Sequence, residues 1–179
     1  LAGRGQVITD REVRIGELAA WAAHRSRRVA TRTATKNQLL AQLDRAFPGL
    51  TLALPDVLGT KIGRLVAAEF ADPARLAALG VNRLIRFAST RDVQLRRPVA
   101  ERLVAAAKDA LPTRDAVVAR RVVAADVSLL VDLDHQIVDA EGELAALLPS
   151  SPFATLTSVP GWGVIRVSNY AAALGDPRR

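Results

Sequence analysis

A chain of 179 residues, half of them apolar, is long enough for one sizeable core or two small ones, and its lack of cysteine excludes a disulfide framework and any cysteine-held metal. A formal charge of +7 and a pI near 11.1 suit a polyanionic partner, because clustered basic groups gain affinity by releasing counterions from a phosphate backbone. Only Lys36, Lys61 and Lys108 of the 25 basic residues are lysines, so arginine-rich coding accounts for part of that basicity.

No charged and apolar leader opens the sequence, the absence of any Met points to a fragment, and the absence of Cys fits a reducing, cytoplasmic setting. The uncharged run from Leu144 to Ile165 has the length of a membrane span, but Pro149, Pro152, Pro160, Gly161 and Gly163 break it into a helix end, a linker and a turn. Charge is unevenly placed. Residues 1–50 carry nine basic against four acidic groups, 51–110 ten against six, 111–150 three against seven, and 151–179 three against one. The acidic third block is expected to lie along a basic one or to point away from the polyanion.

The first element, in residues 1–50, is a long basic helix. "TDRE" forms a capping box from Thr9 to Glu12, and Ile15, Leu18, Ala22, Val29, Leu39, Leu43 and Phe47 keep a helical period until Pro48 and Gly49 end it. Residues 51–111 read as shorter helices around "GTKIGRLVAAEF", "DPARLAALG", "NRLIRFA" and "RRPVAERLVAAAKDAL", the second with an Asp N-cap, Pro at its first position and Gly past its end. From 112 to 149 a second long helix runs from about Thr113 to Leu148. Val123, Leu130, Ile137 and Leu144 fall seven apart as a coiled-coil seam, with Leu133, Ala140 and Leu147 in the next seam position, blemished by Asp126 and Gly142. Residues 150–179 hold a short helix, the turn "VPGWG" and a last helix. The fold class is therefore all-α: two long helices as an antiparallel coiled-coil arm, acidic against basic, with a helical insertion at its tip and an incomplete helix-hairpin-helix at the end.

Three features bear on chemistry. On the first helix no acid stands between Glu17 and Asp44, while Arg25, Arg28, Arg32 and Lys36 step by three and four, and Arg14 shares their azimuth. This stripe either follows a phosphate backbone or pairs with Asp132, Asp134, Asp139 and Glu141 across the coiled coil. In the hairpin, Gly161 and Gly163 permit close approach of a phosphate to backbone N–H groups at a helix N-terminus, and Arg166 adds a charge one turn on; the plain alternative is an αα turn punctuated by Pro and Gly. A weaker phrase of the same kind, "LGTKIGR", places Gly59, Lys61, Gly63 and Arg64 around a second turn. His24 and His135 have no partners that make a triad, Asp132 and Asp134 do not share a helix face, and Ser150 and Ser151 have nothing to activate them, so no catalytic residue and no metal ligand is assigned.

"RTATKNQLLAQLDRAFPGL", the heptad helix and above all "LTSVPGWGVIRVSNYAAALGD" resemble the middle and C-terminal parts of insertion-sequence transposases that join a RuvC-like acidic nuclease domain to a serine-bearing C-terminal domain, the bridge-RNA-guided recombinase type. The resemblance covers the chain from about Asp10 onwards. It implies a coiled-coil region and the start of the C-terminal domain, DNA as partner with a guide RNA in some members, homo-oligomers assembled through the coiled coil, and a role in DNA transposition and recombination by a bacterial mobile element. It also implies a divalent metal, Mg, in an acidic domain before Leu1, no cofactor within this fragment, and a catalytic serine segment after Arg179. The family turn is commonly Pro-Gly-Ile-Gly, and Trp162 replaces the small aliphatic here. The reading from another class is a non-catalytic helical protein-interaction module whose arginine content is compositional.

Overall fold

The computed structural model describes residues 10–111 and 115–175. Every regular element among them is helical: α1 (Asp10–Ala46), α2 (Leu50–Ala53), α3 (Lys61–Phe70), α4 (Pro73–Thr90), α5 (Arg97–Asp109), α6 (Ala116–Leu147) and α7 (Val164–Leu174), with 3-10 turns at Leu148–Ser150 and Ala154–Ser158. The all-α expectation holds. Thr9 of the capping box, and Pro112 and Thr113 ahead of the second long helix, lie outside the described residues. At 1.5 Å per residue α1 is about 55 Å long and α6 about 48 Å.

Two compact units divide the chain, one made of the residues up to Arg32 and from Leu133 onwards, the other of Thr33–Asp132. Both long helices contribute to each. The boundaries expected at residues 50, 111 and 149 follow helix ends, whereas the units follow the two apolar cores. In the first unit Ile15, Leu18 and Ala22 of α1 pack with Leu144 and Leu148, with Phe153, and with Val167 and Ala171 of α7. Arg25 pairs with Glu141 and Arg32 with Asp134, so one helix advances seven residues while the other retreats seven. That relation fixes an antiparallel pair. In the second unit Leu39, Leu43 and Phe47 of α1 share a core with Val123, Val127 and Leu130 of α6 and with Val66, Leu76, Leu84 and Leu103 of the short helices.

The heptad seam is present with one shift. Val123, Leu130 and Leu144 are buried and Ile137 is half-buried, as the seven-residue spacing requires. At the second seam position Leu133 and Ala140 are buried, but Val127 takes the place of Asp126 and Leu148 that of Leu147. Val127 packs into the second core and Leu148 into the first, so at those positions the elements packed on α6 decide which neighbour is buried. Asp126 is therefore not a seam defect, and Gly142 sits exposed with nothing near its Cα.

The short helices start where their caps stand. The Thr60 hydroxyl accepts from the Gly63 amide at 3.1 Å, and the Asp72 carboxylate accepts from Ala74 N at 3.0 Å with Pro73 in the first turn. The two helices expected in "DPARLAALGVNRLIRFA" meet in α4 at Gly80, whose φ of 74° and ψ of 170° break the helical run. Gly63 is set by packing: a Cβ there would collide with the backbone of Val57, so α3 crosses that segment only through a glycine.

Gly63→Ala is accordingly expected to destabilise the protein by about 2–4 kcal/mol, as a forced backbone clash does. Gly142→Ala, on an open face of α6, should stabilise it by about 0.5–1 kcal/mol. Denaturant melts of the two variants check this, and equal stability for both would contradict the close approach.

Candidate nucleic-acid interface

The arginine stripe of α1 occupies one azimuth, as its spacing requires, but that azimuth faces α6. Arg25, Arg28, Arg32 and Lys36 are half-buried, while Ser26, Arg27, Ala30 and Thr31 between them are exposed. Arg25 donates from Nε to Glu141 Oε1 at 2.7 Å, with a second contact from Nη2 at 2.7 Å, and Arg32 Nε donates to Asp134 Oδ1. The side chains in these pairs retain 21–38% of their exposure, so the pairs are partly desolvated. Arg28 lies between them with its Nε buried and without a hydrogen-bond partner. Arg14 stands apart on an exposed stretch, beside an open depression that also includes Asp10, Ser150 and Ser151. Of the acids expected opposite the stripe, Asp134 and Glu141 take part, and Asp132 and Asp139 stay exposed.

The second predicted site is brought together. Trp162 N donates to Val159 O at 3.0 Å, closing a four-residue turn with Pro160 second and Gly161 third at φ +80°, the backbone of a type II turn. Gly161 is thus required by conformation. Gly163 is not: its φ is −72°, it is the N-cap of α7, and a Cβ added to it meets nothing within 4 Å. No side chain caps α7, so the first amides of the helix keep their donors. Arg166 folds back over the turn, its Nη1 donating to Gly161 O at 2.8 Å. Gly161, Gly163, Val164, Ile165, Arg166 and Asn169 line one open depression. Trp162 packs edge-on against Tyr170 at 5.4 Å.

The turn "LGTKIGR" is closed from within. Its helix N-terminus is capped by Thr60, Arg64 Nε is spent on Leu58 O at 2.7 Å, and a Cβ at Gly59 would strike the Asp56 carboxylate. Both glycines answer packing needs of the loop.

The serines and histidines weighed for chemistry have structural surroundings. Ser150 and Ser151 hydroxyls donate to the carbonyls of Leu147 and Leu148 at 2.9 and 2.8 Å and so cap the end of α6. His24 lies against the Trp21 ring and His135 is exposed. Among the described residues no three His, Cys, Asp or Glu side chains gather as a metal site, and no helix is long and apolar enough to cross a membrane. No family model, curated protein or solved structure matches the chain.

Two features escaped sequence reasoning. Ser168, on α7, is wholly buried with its Oγ unpartnered, and nothing in its local sequence distinguishes it. Arg83, Arg86, Arg96 and Arg97, all exposed on α4, α5 and the loop joining them, form a basic region that the count over 51–110 obscured, because acids at both ends of that window diluted it.

The two ion pairs are expected to couple α1 to α6 by about 0.5–1 kcal/mol each, above the usual surface value because both are half-buried. A double-mutant cycle of Arg25→Gln and Glu141→Gln, repeated at high salt, measures it. Additive effects at low salt would show that the pair does no structural work.

Proposed function

We propose that the chain is the coiled-coil region and the start of the C-terminal domain of an insertion-sequence DNA transposase, acting in the bacterial cytoplasm. Its work is to bind nucleic acid through phosphates and to associate subunits for transposition. The observation that carries this is the turn from Val159 to Trp162 running straight into α7, with the open Gly163 at its uncapped start and Arg166 alongside. Orphan amide donors and the positive end of the helix dipole favour a phosphate oxygen there, and the absence of a side chain at Gly163 leaves room for it. The resemblance of "LTSVPGWGVIRVSNYAAALGD" to the family's C-terminal segment supports the same reading, as does the net charge of +7. Arg25 and Arg32 are paired and Arg28 has its Nε buried between them, so Arg14 and Lys36 are the members of the α1 stripe left for phosphates. Chemistry by an acidic metal site or by a serine nucleophile is assigned to no residue of this chain.

Subunit association requires a surface other than the α1–α6 seam, which is filled within the chain. The outer face of α6 supplies one: Val118, Val122, Ala125 and Leu129 step by four, three and four opposite the buried Val123, Val127 and Leu130, and Val118 is 62% exposed. Arg121 precedes one seam position and Asp126 follows the next, five residues on, the spacing that joins flanks of two parallel copies. The stripe turns polar at Asp132, which confines the contact to a short length. This face is also what favours the second reading, a helical module that binds only protein.

Gly163→Asp separates the two. A carboxylate at an N-cap leaves α7 as stable or more so, by up to about 1 kcal/mol, while repelling a phosphate. The transposase reading expects wild-type protein to bind duplex DNA with a steep salt dependence and Gly163→Asp to bind at least several-fold more weakly at unchanged thermal stability. Flat binding across salt would leave the module reading. In either case Leu129→Glu is expected to reduce the protein's self-association, measured by sedimentation.

A further inference from the structure

Residues 73–108 carry eight basic side chains against two acidic ones, Asp92 and Glu101, an excess of six in a chain whose total is +7. The segment is α4, the loop after it and most of α5, and it lies in a single unit. We infer that this helix pair is a second phosphate-backbone surface that grips a nucleic-acid duplex, with Arg83, Arg86, Arg96 and Arg97 as its contacts. The inference rests on the nucleic-acid reading above and adds to it a site that is independent of the C-terminal turn.

Placement separates the available cations from the committed ones. Leu84 and Ala88 turn the inner face of α4 into the core, so the opposite face presents Asn82, Arg83, Arg86, Ser89 and Thr90. That face holds no carboxylate. Arg83 and Arg86 are one turn apart on it and make no hydrogen bond or ion pair with another described residue. Arg97, at the start of α5, is steered towards the same place by its Nη2 bond to Asn82 Oδ1 at 3.0 Å, and its contact with Glu101 at 4.0 Å is loose. Arg96 is exposed just before it. The remaining arginines are spent elsewhere: Arg91 lies between Glu69 and the Phe87 ring, Arg75 reaches Glu69 O, and Arg102 reaches Ala53 O.

The chemistry of the surface chooses the class of partner. No large apolar side chain is exposed between residues 73 and 108, although several are exposed on α6 and α7. A membrane-seeking face needs an apolar side to insert, and a protein interface needs buried apolar or aromatic anchors. Arginines interleaved with Asn, Ser and Thr are instead the donors that position a protein on phosphate and sugar without reading bases. The break at Gly80 starts a fresh helical run at Val81, which sets Asn82, Arg83 and Arg86 on an axis of their own.

The test measures the affinity of the full chain for short duplex DNA, for duplex RNA and for poly-glutamate across a salt series. Three proteins are compared: wild type, Arg83→Gln/Arg86→Gln, and Arg27→Gln/Lys61→Gln, which removes equal charge from exposed positions elsewhere. Adding Arg96→Gln and Arg97→Gln extends the series, and circular dichroism melts establish that each variant is folded. Each lost phosphate contact lowers the slope of log affinity against log salt by about 0.9, so the first variant should lose about two units of slope and bind a duplex about tenfold more weakly, with the control close to wild type. Whichever duplex shows the larger loss identifies the source of the phosphates. Equal losses in variant and control, or an equal loss for poly-glutamate, would overturn the inference while leaving the nucleic-acid reading intact. Absence of duplex binding by the wild type would overturn both.

Discussion

The first unit depends on one register, the antiparallel pairing of α1 with α6 held by Arg25–Glu141 and Arg32–Asp134. Each unit fills its own core on these helices, the first with α7 and the second with α3, α4 and α5, because neither long helix can bury its apolar stripe alone. Between Ala22 and Thr35 no residue of α1 is fully buried. Arginine and carboxylate replace apolar packing along that stretch. The heads of Arg25 and Arg32 stay paired at the flank of the helix pair, as expected of long charged side chains beside a coiled-coil seam.

This pairing redistributes the charge that makes the chain basic. Glu141 and Asp134 of α6 pair with two of the arginines in the middle of α1, and the cationic surfaces proposed for a polyanion include the hairpin at Arg166 and the helix pair that bears Arg83, Arg86, Arg96 and Arg97. A polyanion approaching the molecule meets two polar, positively charged surfaces, each with backbone or amide donors beside its arginines. Apolar exposure is concentrated elsewhere, on Val118, Val122 and Leu129 of α6, so the candidate surfaces for nucleic acid and for a second subunit use different chemistry on different elements.

Much of the fold was legible because helix punctuation is local. Asp72 with Pro73, Thr60 three residues before Gly63, and Pro48 with Gly49 each act through bonds within one turn of chain, and all end or begin helices where the sequence places them. The heptad seam was legible to within one residue, and the shift to Val127 follows the short helices packed on that part of α6, which a pattern of seven does not contain. The arginine stripe shows where local reasoning stops. Its common azimuth follows from spacing, but whether that azimuth meets solvent or α6 is decided by drift along the helix and by the partner's register. The same holds for glycine: Gly161 is required by its turn, Gly63 by a segment six residues earlier in the chain, and only coordinates distinguish these from the open Gly163.

The most direct test of the account is amide hydrogen exchange of the full chain with and without a saturating short DNA duplex. Phosphate contacts at the two surfaces predict new protection in residues 81–97 and 161–167, with the middle of α1, already paired to α6, unchanged. Protection confined to the middle of α1, or no protection anywhere under conditions of saturation, would contradict it.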